Sequence, residues 1–158
     1  MTSQTQQKPV AVKALIGFEL FWAFISFASS IPLLVDPSGG IMGLPLETLE
    51  NTPISDFTLV GVWFVTGFGL FPLVSAWGLW TKKRLTWTDS ISRWTHQHWS
   101  WSASLLFVVI CEIWIIVEMV LIGYHWLQGL FMIIPLIPLV LVFLPSVRTH
   151  FKEHNQTH

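Results

Sequence analysis

A chain of 158 residues has the length of a single domain. Apolar types make up 53% of it and charged types 11%, against about 25% charged in an ordinary soluble domain, which argues against water as the main solvent. A formal net charge of −1 leaves no surplus of Lys and Arg to neutralise phosphates, so nucleic acid is not an expected partner.

Four apolar stretches run at about 10–35, 57–80, 99–123 and 127–145. Each is near the roughly 20 residues that a helix needs to cross about 30 Å of hydrocarbon. Continuous apolar runs favour helices over barrel strands, because a spanning segment must satisfy its own backbone groups. The expected fold class is therefore all-α, an integral membrane four-helix bundle forming one domain over 1–158. Its connectors are an outer loop at 36–56, an inner loop at 81–98 and a tail at 146–158. A cleaved signal peptide is the competing reading of the first stretch, with Lys8 and Lys13 as its basic region and Ala28 and Ser29 near a cleavage site. The apolar run continues to Val35, long enough to span, which disfavours it.

Charge orients the bundle. Lys8 and Lys13 precede the first stretch, Lys82, Lys83, Arg84 and Arg93 separate the second from the third, and Arg148 and Lys152 follow the fourth. These are all 8 basic residues, and every one falls on the same side. The first loop carries Asp36, Glu47, Glu50 and Asp56 and no basic residue. By the positive-inside rule both termini face the cytoplasm of a cell-membrane protein. Trp80, Trp87, Trp94, Trp99 and Trp101 crowd the inner interface, and Tyr124 and Trp126 mark the outer one.

The spacing of Trp87, Ile91, Trp94 and His98, after a cap at Thr88 or Asp89, fits a short helix lying on the inner membrane surface; an irregular loop fits equally. The outer loop is rich in Pro and Gly, yet Ile41, Met42, Leu44, Leu46 and Leu49 equip it to fold back as a lid. In the second stretch Thr58, Gly61, Val65, Gly69, Pro72 and Ala76 share a narrow stripe whose small residues let another helix approach. Phe57, Phe64 and Phe71, with Phe68 beside them, are expected in core or lipid contact rather than around a ligand.

Three acids lie within apolar stretches: Glu19, Glu112 and Glu118. A charged carboxylate at bilayer depth costs roughly 2.5–3.5 kcal/mol on insertion scales, so such acids face the bundle interior or a wet cavity. No Lys, Arg or His lies at matching depth to pair with them. Glu112 and Glu118 are about 120° apart around a helix and about 9 Å apart along it, and the arc between them holds Ser104, Val108, Cys111 and Ile115. Glu19, Ala23, Ser26 and Ser30 form a second polar stripe leading toward Pro32. The candidate ligand-binding set is thus Glu19, Glu112, Glu118, Ser26, Ser30 and Cys111. Glu19 and Glu112 are expected to face each other across the bundle centre, with Glu118 nearer the outer mouth beside His125 and Asp56. Three roles stay open for the acids: helix-to-helix hydrogen bonding, ligand or proton handling, and acid-base catalysis.

The single Cys111 offers no intrachain disulfide and no cysteine metal cluster. His150, His154 and His158 fall at i, i+4 spacing suited to zinc or copper, but the last nine residues read better as a solvated tail. His96 and His98 read as interfacial loop residues. No histidine sits mid-membrane to carry a haem, and no cofactor is expected.

Gly43, Leu44 and Pro45, followed by Thr52 and Pro53, by Ser55, Asp56 and Phe57, and then by Gly61 with Phe71, Pro72 and Leu73, resemble a family of small four-helix bacterial membrane proteins whose activity is uncharacterised. Trp114 and Glu118 ahead of Ile122, Gly123 and Tyr124 extend that resemblance to about two-thirds of the chain. Ser30, Ile31 and Pro32 ahead of Asp36, with Phe71 and Pro72, are similar to pieces of the EXPERA group of sterol isomerases and sigma-2-type receptors. That group implies a bundle with buried acids around a lipid-like ligand. Here no acid interrupts the second helix and no histidine interrupts the third, which counts against isomerase chemistry. The sequence reading is therefore a non-catalytic membrane module that binds a small hydrophobic or cationic ligand, or an accessory unit for other membrane subunits. The alternative is an intramembrane acid-base enzyme acting on a lipid-like substrate. The lipid bilayer is the expected surrounding in either case.

Overall fold

The computed structural model describes residues 7–152. Four helices in it are long and apolar enough to cross a membrane: α1 (Val10–Val35), α2 (Thr58–Thr81), α4 (Trp99–Ile122) and α5 (Trp126–Phe143). Two short helices complete the set, α3 (Asp89–Thr95) between α2 and α4, and α6 (Pro145–Phe151) after α5. The described residues form an all-α fold, and the four long helices match the four apolar stretches to within two residues at each end.

Helix α1 is the spine of the bundle. Val12, Leu15, Ile16, Glu19, Ala23, Ser26, Ser30 and Leu33 are buried along its length, recurring at three and four residues as an inward stripe requires. Helix α2 lies against it through small residues. A side chain added at Gly61 would begin 2.9 Å from Leu34, and one at Gly69 would begin 2.7 Å from a ring carbon of Phe27. The glycines of the predicted stripe are therefore where α1 and α2 approach most closely, while Thr58 at its end is exposed.

Helix α2 is not regular. Phe64–Leu70 winds as a π-helix, and the N–H of Phe71 bonds the carbonyl of Thr66 five residues back. Pro72 supplies a cause: a proline has no N–H for the carbonyl four residues before it, and its ring collides with that carbonyl in α geometry. Widening the preceding turn relieves the collision without leaving the backbone unpaired inside the bundle. Pro135 likewise interrupts α5, where the winding loosens at Ile134 and Pro135 before resuming.

Three side-chain clusters fill the bundle. At the end carrying both termini, Val12, Leu15 and Ile16 meet Ala76 and Leu79, Trp101, Val142, and Val147 and Phe151, so all four long helices and α6 converge there. The indole N–H of Trp101 donates to the Val142 carbonyl at 2.9 Å, tying α4 to α5. In the middle, Phe68, Phe107 and Cys111 pack with Trp22, Trp63, Phe64, Phe71 and Trp114. At the opposite end Leu33, Leu49 and Phe57 form a small core with Leu44, Ile54 and Val60.

That last cluster is the outer loop folded back, though only in part. Leu49 is buried and Leu44 half-buried, whereas Ile41, Met42 and Leu46 stay exposed. The loop takes its shape from Asp36, whose carboxylate accepts from the N–H groups of Ser38 and Ile41. Those bonds, with the Ser38 hydroxyl first, hold its carboxyl below the ordinary carboxylate range. Gly39 takes a left-handed φ of 80°, and a side chain there would run into the Leu44 carbonyl and the Phe57 ring.

The structure corrects two expectations about the connectors. The tail is not solvated from 146 onward: α6 docks Val147 and Phe151 into the core, and the Phe151 carbonyl accepts from the His98 N–H at 2.9 Å. His154 and His158 lie outside the described residues. His98 is not a loop residue at the interface but a buried N-cap of α4, whereas His96 is exposed and ends α3 with a left-handed φ of 55°. Segment 89–95, open between helix and loop, is the helix α3.

Gly69→Ala forces a methyl against Phe27 and is expected to destabilise the bundle by about 1–3 kcal/mol. Gly17→Ala, which meets nothing within 4 Å, should be neutral or stabilising by up to about 1 kcal/mol. Detergent unfolding followed by tryptophan fluorescence checks both; equal effects at the two positions would refute the close-packed reading of Gly69.

Candidate functional site

Beyond the π segment, α2 turns Pro72, Ser75, Ala76 and Leu79 inward. Gly78 on the same stretch brings α4 close, since a side chain there would begin 2.8 Å from the Ser100 Cβ. This approach puts the hydroxyls of Ser75 and Ser104 3.2 Å apart. The Ser75 hydroxyl lies 3.1 Å from Oε1 of Glu19, so one carboxyl from α1, one hydroxyl from α2 and one from α4 meet at a single point. Glu19 is fully buried, at 0% exposure, and its Oε2 has no hydrogen-bond partner among the described residues.

Polar contacts continue from there toward the terminal end. The Ser104 hydroxyl donates to the Ser100 carbonyl at 3.0 Å, and the Ser100 hydroxyl lies 2.8 Å from Nδ1 of His98. His98 is 4% exposed, and its Nε2 has no partner among the described residues. Burial first holds its pKa below the ordinary histidine value, helped by the charges of Lys82 and Arg84 and opposed by the backbone at Lys83 and Lys82.

Proton counting constrains the junction. The links from Ser75 to Glu19, from Ser75 to Ser104 and from Ser104 to the Ser100 carbonyl need three protons, and two hydroxyls supply only two. All three links are made together only when the Glu19 carboxyl carries the third and donates it to Ser75, with Ser75 donating in turn to Ser104.

The remaining predicted site residues do not join Glu19. Glu112 lies two turns along α4 from Ser104, half-buried, with its Oε1 unpartnered among the described residues. Glu19 meets α4 at the level of Ser104, about two turns from Glu112, so the two acids do not face each other across the bundle centre as expected. Glu118 accepts from the indole N–H of Trp114 at 2.7 Å, one turn back on its own helix, and Trp114 stacks on Trp63 at 5.7 Å. Its expected neighbours serve elsewhere. Asp56 accepts from the Thr58 N–H at the start of α2, and His125 caps α5 by accepting from Leu127. Ser30 donates to the Phe27 carbonyl within α1, Ser26 is buried beside the same stripe, and Cys111 is packed between Phe68 and Phe107.

No family model, curated protein or solved structure matches the chain. Chemistry must therefore be read from the geometry alone.

Next to the junction, α2, α3 and α4 enclose a groove of about 700 Å³. Leu70, Phe71, Val74, Ala103, Leu106 and Val109 form its apolar walls. Trp87, Ile91 and Trp94 close its terminal end, with Trp94 85% exposed. Ser75, 1% exposed, lies in its wall with Thr66, Thr88, Thr95 and Ser102, so the groove runs alongside the side chain that holds Glu19. Sequence reading missed Ser75 because it singled out Ala76 next to it. The signal available was a serine three residues after Pro72, at a depth comparable to Ser104.

Replacing Ser75 with alanine removes one interhelical bond to Glu19 and should cost about 0.6–1.7 kcal/mol, the range measured for such bonds in membranes. The infrared spectrum of the purified protein should also show a protonated-carboxyl carbonyl band that disappears in Glu19→Gln. A spectrum unchanged by that substitution would contradict the proton count.

Proposed function

We propose that this chain is an integral protein of the cell membrane, with both termini on the cytoplasmic side, that binds a small lipid-like molecule in the groove between α2, α3 and α4. It acts as a non-catalytic ligand-binding or accessory subunit. The observation that carries this reading is a largely apolar groove that runs alongside the Ser75–Glu19 contact. An acyl or ring system lies along Leu70, Val74, Ala103 and Leu106, and its polar end meets the Ser75 hydroxyl backed by Glu19.

Membrane residence is supported by the outward faces of the long helices. Phe24, Ile31, Leu59, Val120, Ile133 and Val140 are exposed apolar side chains distributed over all four, and in water such faces would need other cover. Orientation is supported by the position of Lys8, Lys82, Lys83, Arg84, Arg93, Arg148 and Lys152 in the segments at one end, with Lys13 in the first turn of α1. Binding is favoured over acid-base catalysis because one carboxyl backs the groove. Glu112 and Glu118 do not line it, and proton transfer in both directions calls for a second group.

Two experiments test the two halves of this reading. In a Cys111→Ser background, Lys83→Cys should react with a membrane-impermeant thiol reagent only after permeabilisation, and Ser55→Cys should react in intact cells; the reverse pattern would overturn the orientation. A photoreactive fatty-acid probe should label groove residues such as Leu106 or Val109, and Ala103→Trp, which fills the groove, should abolish most of that label. Labelling indifferent to Ala103→Trp would sink the ligand assignment.

A further inference from the structure

The end of the bundle that carries both termini gathers cationic groups from four separate parts of the chain. Lys8 precedes α1, Lys82 follows α2, His98 caps the start of α4 and His150 lies in the last turn of α6. Lys82 is at the centre. Its ammonium donates to the His150 carbonyl at 2.6 Å and lies 5.4 Å from the centre of the Phe151 ring. The same ring packs against both histidines, with centroids 4.9 Å from His150 and 6.2 Å from His98. Lys8 lies 4.4 Å over the ring of Trp80, close enough in charge to act on Lys82 and on His150.

Like charges gathered here repel, and among the described residues no salt bridge compensates them. Among the described residues the acid of the inner connector is Asp89, which sits 3.8 Å from Arg84. Burial lowers the pKa values of Lys82 and His150, and the neighbouring cations lower them further. The Nε2 atoms of His98 and His150 are both buried, and neither has a partner among the described residues. Lys82 also holds a left-handed φ of 53°, a backbone position at a helix end that glycine fills at less cost. Two ammonium groups and the buried Nε2 atoms of two imidazoles are therefore brought to one end of the bundle with no carboxylate paired to them among the described residues.

We propose that Lys8, Lys82 and His150, with His98 behind them, form a binding site for a phosphate group at the cytoplasmic end of the bundle. A phosphate brings up to about two negative charges and three acceptor oxygens, enough for both ammonium groups and an imidazole N–H at once. A lipid headgroup and a soluble phosphate present the same chemistry. The site is separate from the groove and does not depend on what the groove binds.

The full chain, purified in mild detergent, is titrated at constant ionic strength with inorganic phosphate, with short-chain phosphatidic acid, and with the diacylglycerol of the same chains. Thermal unfolding is followed by tryptophan fluorescence. Phosphatidic acid is expected to raise the unfolding temperature and diacylglycerol to leave it unchanged. Lys8→Gln and Lys82→Gln should each weaken the phosphatidic acid effect about tenfold in concentration, the loss of one charge-assisted bond, while Lys13→Gln, which removes an exposed charge in the first turn of α1, should not. Stabilisation by inorganic phosphate as well identifies a site for phosphate from either source; stabilisation by phosphatidic acid alone identifies a lipid headgroup site. The proposal is overturned if neither phosphate compound stabilises the protein, if diacylglycerol does so equally, or if Lys8→Gln responds like the parent. Lys8 lies on the surface, so its variant remains informative should Lys82→Gln fail to fold.

Discussion

The packing of this bundle turns on one polar contact, the meeting of Glu19 with Ser75 and Ser104. A fully buried carboxyl has no water to fall back on, and an unpartnered oxygen there is costly. Partners arrive only because α2 and α4 both come close. Gly78 removes the side chain that would hold α4 away, and the π turn ahead of Pro72 accompanies the inward aim of Ser75. The apolar cluster around Leu15, Leu79, Trp101 and Phe151 lies on the terminal side of this contact, and the aromatic cluster around Phe68 and Phe107 lies on the other.

Much of the fold is legible in the sequence because long, continuous apolar runs leave few alternatives to long helices. Apolar runs of fixed length give the long helices, and glycines at helical spacing mark the face that meets α1. Other features were harder to read for physical reasons. Burial of His98 depends on α6 folding back from more than forty residues away, and no local pattern announces that return. The expectation that Glu19 and Glu112 face each other gave no weight to Ser75 and Ser104, which lie nearer the terminal end and offer hydroxyls without the repulsion of a second acid. Glu118 followed a simpler rule: Trp114 sits one turn away on the same helix, and an indole N–H four residues back is a partner always within reach.

Helix α3 links the two sites at the terminal end. One face carries Ile91 and Trp94 toward the groove, and the helix is held at its C-terminal side by the hydroxyl of Ser102 donating to Thr95 at 3.1 Å. The indole of Trp99 donates to the Lys83 carbonyl at 2.8 Å, fixing the start of the same connector beside Lys82. The wall of the groove and the cationic cluster thus share one short, anchored segment.

The π segment of α2 has a structural consequence of its own. A wide turn holds one residue more than an α turn, so the two halves of this helix do not share one angular phase. The outer half is set by Phe57 and Gly61 against the end of α1, and the inner half by Ser75, Ala76 and Gly78 against Glu19 and α4. The surplus residue acts as a phase shifter between them, letting a single continuous helix obey two facing requirements that one uniform winding could not satisfy together.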